Sequence, residues 1–125
     1  MNLVRRGELF YTDFGKTVGS EESGIRPAVI IQNDIGNYHS PTTIVSAITS
    51  QPKNNMPTHI FINNQSLPKD SVILTEHIRT IDKTRLLTYI GKLTEEEIKK
   101  LNRAIIISLG LNEEKINEQK NKPIF

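Results

Sequence analysis

Two apolar runs of strand length limit what this chain can become. Pro27–Gln32 (PAVIIQ) and Thr42–Thr49 (TTIVSAIT) are too short for stable helices and rich in β-branched residues. The residues between them, Asn33–Pro41, are dense in Asn, Asp, Gly, Ser and Pro, which is turn chemistry. The first run is almost unbroken in apolar character, so a strand covered on both faces is expected. In the second, period-two alternation sets Val45, Ala47 and Thr49 on one face and Ile44 and Ile48 on the other. Further strands are expected over Leu9–Asp13, Thr58–Ile62, Ser71–Thr75 and Tyr89–Lys92. Strands at such close spacing predict a compact β-barrel. Gly15–Gly24 (GKTVGSEESG) has too few apolar residues for a core element and reads as a mobile loop.

One helix is announced clearly. Thr94 and Glu97 have the spacing of a capping box, and Leu93 and Ile98 flank it as a hydrophobic staple. Glu95, Glu96 and Glu97 suit the positive end of the helix dipole. Ile98, Leu101, Ile105 and Leu109 then share one helical face, and Gly110 supplies a C-terminal cap. The expected fold is therefore mainly β, a barrel with a C-terminal helix. Residues 1–111 form one domain in this reading, and Asn112–Phe125 is a polar tail, solvated or a frayed helix extension.

The composition closes off several chemistries. The chain has no cysteine, which excludes disulfides, thiol catalysis and thiolate metal sites. Its three histidines do not fall three or four residues apart, so a helical metal-binding pair is missing. Sixteen basic residues against fourteen acidic leave a net charge of +2, so any nucleic-acid contact must come from placed residues rather than a polybasic coat. No apolar stretch is long enough to cross a bilayer, and the N-terminal MNLVRRGELF does not read as a signal peptide. A soluble cytoplasmic protein is expected.

No nucleophile elbow, P-loop or dinucleotide fingerprint is present. Two residues nevertheless stand out. Arg26 lies between the Gly-rich loop and an apolar strand, and Pro27 biases it toward extended backbone. There a guanidinium can grip a phosphate, or it can pair with Glu21 or Glu22 at the strand end. Thr49 ends the second run. Its hydroxyl can serve a ligand oxygen, or the residue can reflect nothing more than β-propensity.

The order of short motifs resembles the MazF/PemK family of toxin endoribonucleases, in the branch typical of Gram-positive bacteria. The matching pieces are Arg6-Gly7-Glu8-Leu9, Val18-Gly19-Ser20-Glu21, GIRPAVIIQND (Gly24–Asp34) and Ser40-Pro41-Thr42. Ala47-Ile48-Thr49, Pro57-Thr58-His59, Asp70–Leu74 and Ile78-Arg79-Thr80-Ile81-Asp82 follow in the same order, so the likeness spans about residues 3–111. It implies an SH3-like barrel of the CcdB/MazF/Kid plasmid-maintenance toxin type that forms a homodimer. It also implies metal-independent, sequence-selective cleavage of single-stranded mRNA, with no cofactor. Attack by the 2′-hydroxyl would leave 2′,3′-cyclic phosphate and 5′-hydroxyl ends.

Carried over by motif, Arg26 and Thr49 match the family's catalytic pair. Ser20 matches a substrate-contacting serine, and Met56, Glu76 and His77 fall where relatives line the RNA groove. This chain departs from the usual Glu-Gln-Ile-Arg-Thr-Ile-Asp by carrying His77 in place of Gln, which bears on base preference. Lys16, Lys53, Lys69 and Arg79 are candidate groove cations, and Phe14 and Tyr38 are either stacking faces or core. His59 is expected to be structural and His39 a solvated turn residue. The implied partner is a MazE-like antitoxin with an acidic, flexible segment. Two rivals share the architecture: a CcdB-like gyrase poison, disfavoured because this chain has no Trp, and a non-enzymatic RNA-binding barrel.

Overall fold

A computed structural model of the chain describes residues 3–19, 21–51 and 54–111. Six strands form one antiparallel sheet: β1 (Glu8–Asp13), β2 (Ile25–Ile30), β3 (Thr42–Thr49), β4 (His59–Ile62), β5 (Ser71–Asp82) and β6 (Leu86–Lys92). Their order across the sheet is β4-β5-β3-β2-β1-β6. Two α-helices, α1 (Asp34–His39) and α2 (Glu95–Ser108), and a short 3-10 turn, Lys83–Arg85, complete the described fold. No helix among the described residues is long and apolar enough to cross a membrane.

Side-chain alternation on β2 and β3 feeds two separate cores. Val29 and Ile48 join Leu9, Ile73, Leu101 and Ala104 beneath α2. Ala28, Ile30, Val45 and Ala47 face the other way, onto Val4, Phe14 and Ile81. Both faces of β2 are therefore covered, as its unbroken apolar run predicts.

α2 ends as the sequence foretold. Thr94 accepts from the Glu97 amide at 3.2 Å, and the Glu97 carboxylate accepts from the Thr94 amide at 2.9 Å. At the other end Gly110 has φ +69°, the left-handed geometry that glycine adopts without strain. Its amide bonds to the Ile107 carbonyl and that of Leu111 to the Ile106 carbonyl, closing the helix as a Schellman motif. The buried stripe holds Glu97, Leu101 and Ala104, while Leu109, expected on it, is exposed. Glu97 also accepts from Asn64 Nδ2 at 2.7 Å, which ties the helix start to the loop after β4.

The two largest departures from the sequence reading lie elsewhere. Asn33–Pro41, read as a turn, contains α1. Asn33 caps it by accepting from the Gly36 amide at 2.8 Å. Buried Asn37 then anchors it, donating to the Gln32 carbonyl and accepting from the Thr43 hydroxyl at 2.7 Å. Second, β5 does not stop at Thr75 but continues to Asp82. The pairing passes from Ser46↔Ile78 to Ala47↔Leu74, so Thr75, Glu76 and His77 form a bulge with no partner on β3.

Candidate active site

Arg26 and Thr49 come together through strand register. β2 and β3 pair at Ala28↔Ala47, and carrying that register two residues further sets Arg26 across from Thr49. Both line an open cleft of about 310 Å³ together with Tyr11, Ser50, Lys69 and Ser71.

The Arg26 guanidinium is held from one side. Its Nε donates to the Ser23 carbonyl at 2.9 Å and lies 3.2 Å from a Glu22 carboxylate oxygen. The pairing with Glu22 is one of the two arrangements its position allowed. It does not withdraw the residue from solvent, since the Arg26 side chain is 39% exposed and that of Glu22 13%. Among the described residues nothing accepts from its Nη groups, which keep four donors in a planar fork. That is the geometry that matches a phosphate.

Thr49 is only 4% exposed. Its hydroxyl oxygen accepts from the Gln51 amide at 3.1 Å, so its own proton remains available to an incoming acceptor. The two residues that line the cleft therefore bring a cationic fork and a fixed hydroxyl, groups suited to an oxyanion or a phosphodiester.

Glu76 and His77 sit on the bulge of β5 and line an adjoining cleft of about 310 Å³ with Glu22 and Arg79. Glu22 thus stands between the two clefts, lining one and pairing with the arginine of the other. The Glu76 carboxylate is already engaged. It accepts from His59 Nε2 at 2.7 Å and from the Thr58 hydroxyl at 3.2 Å. Burial, the largest single influence, pushes the Glu76 carboxyl up. The hydrogen bonds from His59, its own amide and Thr58, with the field of the imidazole, bring it below its ordinary value. His59 Nδ1 meets the Asn54 carbonyl at 2.8 Å, so the histidine clasps the loop before β4 to the bulge. This is the structural role expected of it, although the sequence did not reveal its partner.

The remaining candidates are scattered. Met56 is exposed and stands apart from both clefts; its carbonyl accepts from the His59 amide. Arg79 donates to the Phe14 carbonyl at 2.7 Å and lies over the Phe14 ring. Phe14 is 2% exposed and belongs to the core, so it offers no stacking face. Tyr38 is exposed but lines a separate cleft of about 860 Å³ with Phe10 and Tyr89. His39 is exposed at the end of α1, its ring edge-on to that of Tyr38. Lys69 lines the Arg26 cleft. Ser20, Lys53 and the 112–125 tail lie outside the described residues.

Comparison with known proteins matches residues 5–109 to the family described as PemK-like, MazF-like toxin of type II toxin–antitoxin system. The chain is 50% identical over 113 residues to a protein of Staphylococcus saprophyticus named Endoribonuclease MazF, covering 88% of this chain and 94% of that one. Among solved structures, an endoribonuclease from a mycobacterial species superposes with a TM-score of 0.74 at 25% identity, covering 89% of this chain and 95% of that chain. A mycobacterial endoribonuclease in complex with its cognate antitoxin gives 0.76 at 24% identity, covering 87% and 97%.

Proposed function

This chain belongs to the PemK-like, MazF-like toxins of type II toxin–antitoxin systems, and from that premise we propose that Arg26 and Thr49 are the pair with which it cuts single-stranded messenger RNA. It is an endoribonuclease of the MazF type. The observation that carries the catalytic reading is that strand register sets Arg26 across from Thr49 at one cleft, the first with unspent guanidinium donors and the second with an unspent hydroxyl proton.

RNA brings its own nucleophile. The 2′-hydroxyl gives up its proton as its oxygen attacks the adjacent phosphorus, the bond to the 5′-oxygen breaks, and that oxygen takes up a proton, so the products are a 2′,3′-cyclic phosphate and a 5′-hydroxyl. Negative charge builds on the non-bridging oxygens in the transition state. The Arg26 fork donates two hydrogen bonds to them and Thr49 donates a third. Donors fixed beforehand need no reorganisation as the charge develops, which is why they accelerate the step.

The working domain in this reading is residues 1–111. Ser20, Met56, Glu76 and His77 contact the flanking nucleotides, and His77 gives this chain a base preference of its own. The protein acts as a homodimer in the cytoplasm and is silenced by a MazE-like antitoxin. An acidic segment of that partner suits a cleft that carries Arg26 and Lys69.

The test compares a single-stranded RNA with the same oligonucleotide carrying a 2′-deoxy nucleotide at the mapped cut site. Cleavage of the first alone is expected. Arg26→Ala should still bind the RNA while cutting it about a hundred- to a thousandfold more slowly. Equal cutting of both oligonucleotides would remove the proposed nucleophile.

A further inference from the structure

The row that brings Arg26 to Thr49 does not end there. Thr49 on β3 and Phe61 on β4 both pair with Val72 of the intervening β5, so the three side chains share one face of the sheet. Two inter-strand spacings put Phe61 about 10 Å from Thr49. Ser50 and Ser71 line the Arg26 cleft and also a neighbouring cleft of about 410 Å³, whose far wall is Phe61. The surface is therefore continuous from the proposed scissile position to this ring.

Phe61 is an unusual occupant of its place. It is 53% exposed on the edge strand, between the buried Ile60 and Ile62. The core does not need it, and an apolar ring left in water at a sheet edge is a liability unless something covers it. Beyond it a third cleft, of about 510 Å³, is walled by Phe61 and by Lys99, Lys100 and Arg103 of α2, with Glu96 as its one acidic side chain. By strand alternation the ring lies on the face opposite Ile60 and Ile62, which pack under α2, so the three cations lie around the β4 edge from it; an exposed aromatic face and nearby cations together suit a single nucleic-acid strand.

We propose that Phe61 is a stacking platform for the base of a nucleotide flanking the cut site, and that the RNA then turns over the β4 edge toward Lys99, Lys100 and Arg103. The subsite rests on the cleavage reading above and extends it by fixing where the strand leaves the Arg26 cleft. RNA is favoured over an acidic peptide because the ring lies in the same row as Thr49 and offers a flat apolar face near the cations.

The test uses RNA spanning the mapped cut site with a 2′-deoxy nucleotide at the scissile position, trimmed one nucleotide at a time from each end. Phe61→Ala should weaken binding of the full-length strand about five- to a hundredfold. For the wild type, one trimming step at one end should cost the same factor. For Phe61→Ala that step should cost nothing more. Phe61→Tyr should restore the wild-type pattern, whereas Phe61→Leu, with bulk but no aromatic face, should behave as Phe61→Ala. Equal binding by wild type and Phe61→Ala, or a loss that is the same at every length, would overturn the subsite. So would a loss seen only with an acidic antitoxin peptide. Failure of the wild type to cut the all-ribose strand would strike the cleavage chemistry itself, whereas normal cutting with no effect at Phe61 would strike the subsite alone.

Discussion

Replacing Glu22 with Gln should make this toxin bind RNA more tightly. The Glu22 carboxylate stands 3.2 Å from Arg26 Nε, on the side of the guanidinium away from the free Nη fork. A phosphate seated on that fork would lie about 7 Å from the carboxylate and be repelled by it. The repulsion is about 2.4 kcal/mol at an effective dielectric of about 20 and about 0.6 kcal/mol in bulk water. The cleft is open to solvent, so a value near 1 kcal/mol is expected, or about fivefold in affinity. Gln keeps the volume and an oxygen acceptor for Nε, so the guanidinium stays aimed. Fluorescence anisotropy with the 2′-deoxy-substituted RNA measures the effect. The gain should shrink as salt is raised, because the repulsion is partly screened. Weaker binding by Glu22→Gln would refute the reasoning, for it would mean that the carboxylate serves chiefly to hold the arginine in place.

Two further predictions concern stability. Asn64 donates to Glu97 at 2.7 Å and to the Lys92 carbonyl at 3.1 Å, and accepts from the Ser66 amide at 2.9 Å. Asn64→Ala removes all three and should cost about 3–5 kcal/mol, at about 1 kcal/mol for each neutral bond and more for the one to the carboxylate. Urea unfolding reads the loss, and a change under about 1 kcal/mol would show that the network is dispensable. The second concerns acid. The Glu76 carboxyl lies below its ordinary value when folded. Its contribution is thus fully present above the unfolded carboxyl's range and is lost as pH falls through the lower folded value. Wild type should lose more stability than Glu76→Gln over that acidic interval, and parallel curves would exclude the effect.

The parts of the fold that could be read beforehand were those governed by local pattern. Thr42–Thr49 is β3 to the residue, and the Thr94–Glu97 box opens α2 as its spacing requires. What could not be read depends on distant partners. α1 holds because Asn37 is buried against Gln32 and Thr43, bonds that no local propensity announces. The second half of β5 was hidden because Glu76 and His77 interrupt the apolar pattern, and only the pairing with β3 shows that they sit on a bulge. At the site, the motif order drew Arg26 and Thr49 out, and strand register explains why they meet. Two carboxylates were candidates for Arg26, and geometry selects Glu22. The His59–Glu76 clasp left no sequence signal. Phe61 left one: an aromatic residue at the outward position of a strand whose neighbours Ile60 and Ile62 point inward.

β2 is a party wall. Ala28 and Ile30 furnish one room and Val29 the other, and the two interiors have no residue in common. Drift in one chamber can be absorbed there by repacking, leaving the second undisturbed. The wall itself has no such freedom, since any shift in it is felt on both sides and at its outer end, where Arg26 stands. In lineages descended from this chain, Ala28, Val29 and Ile30 should vary less than the furnishings on either side.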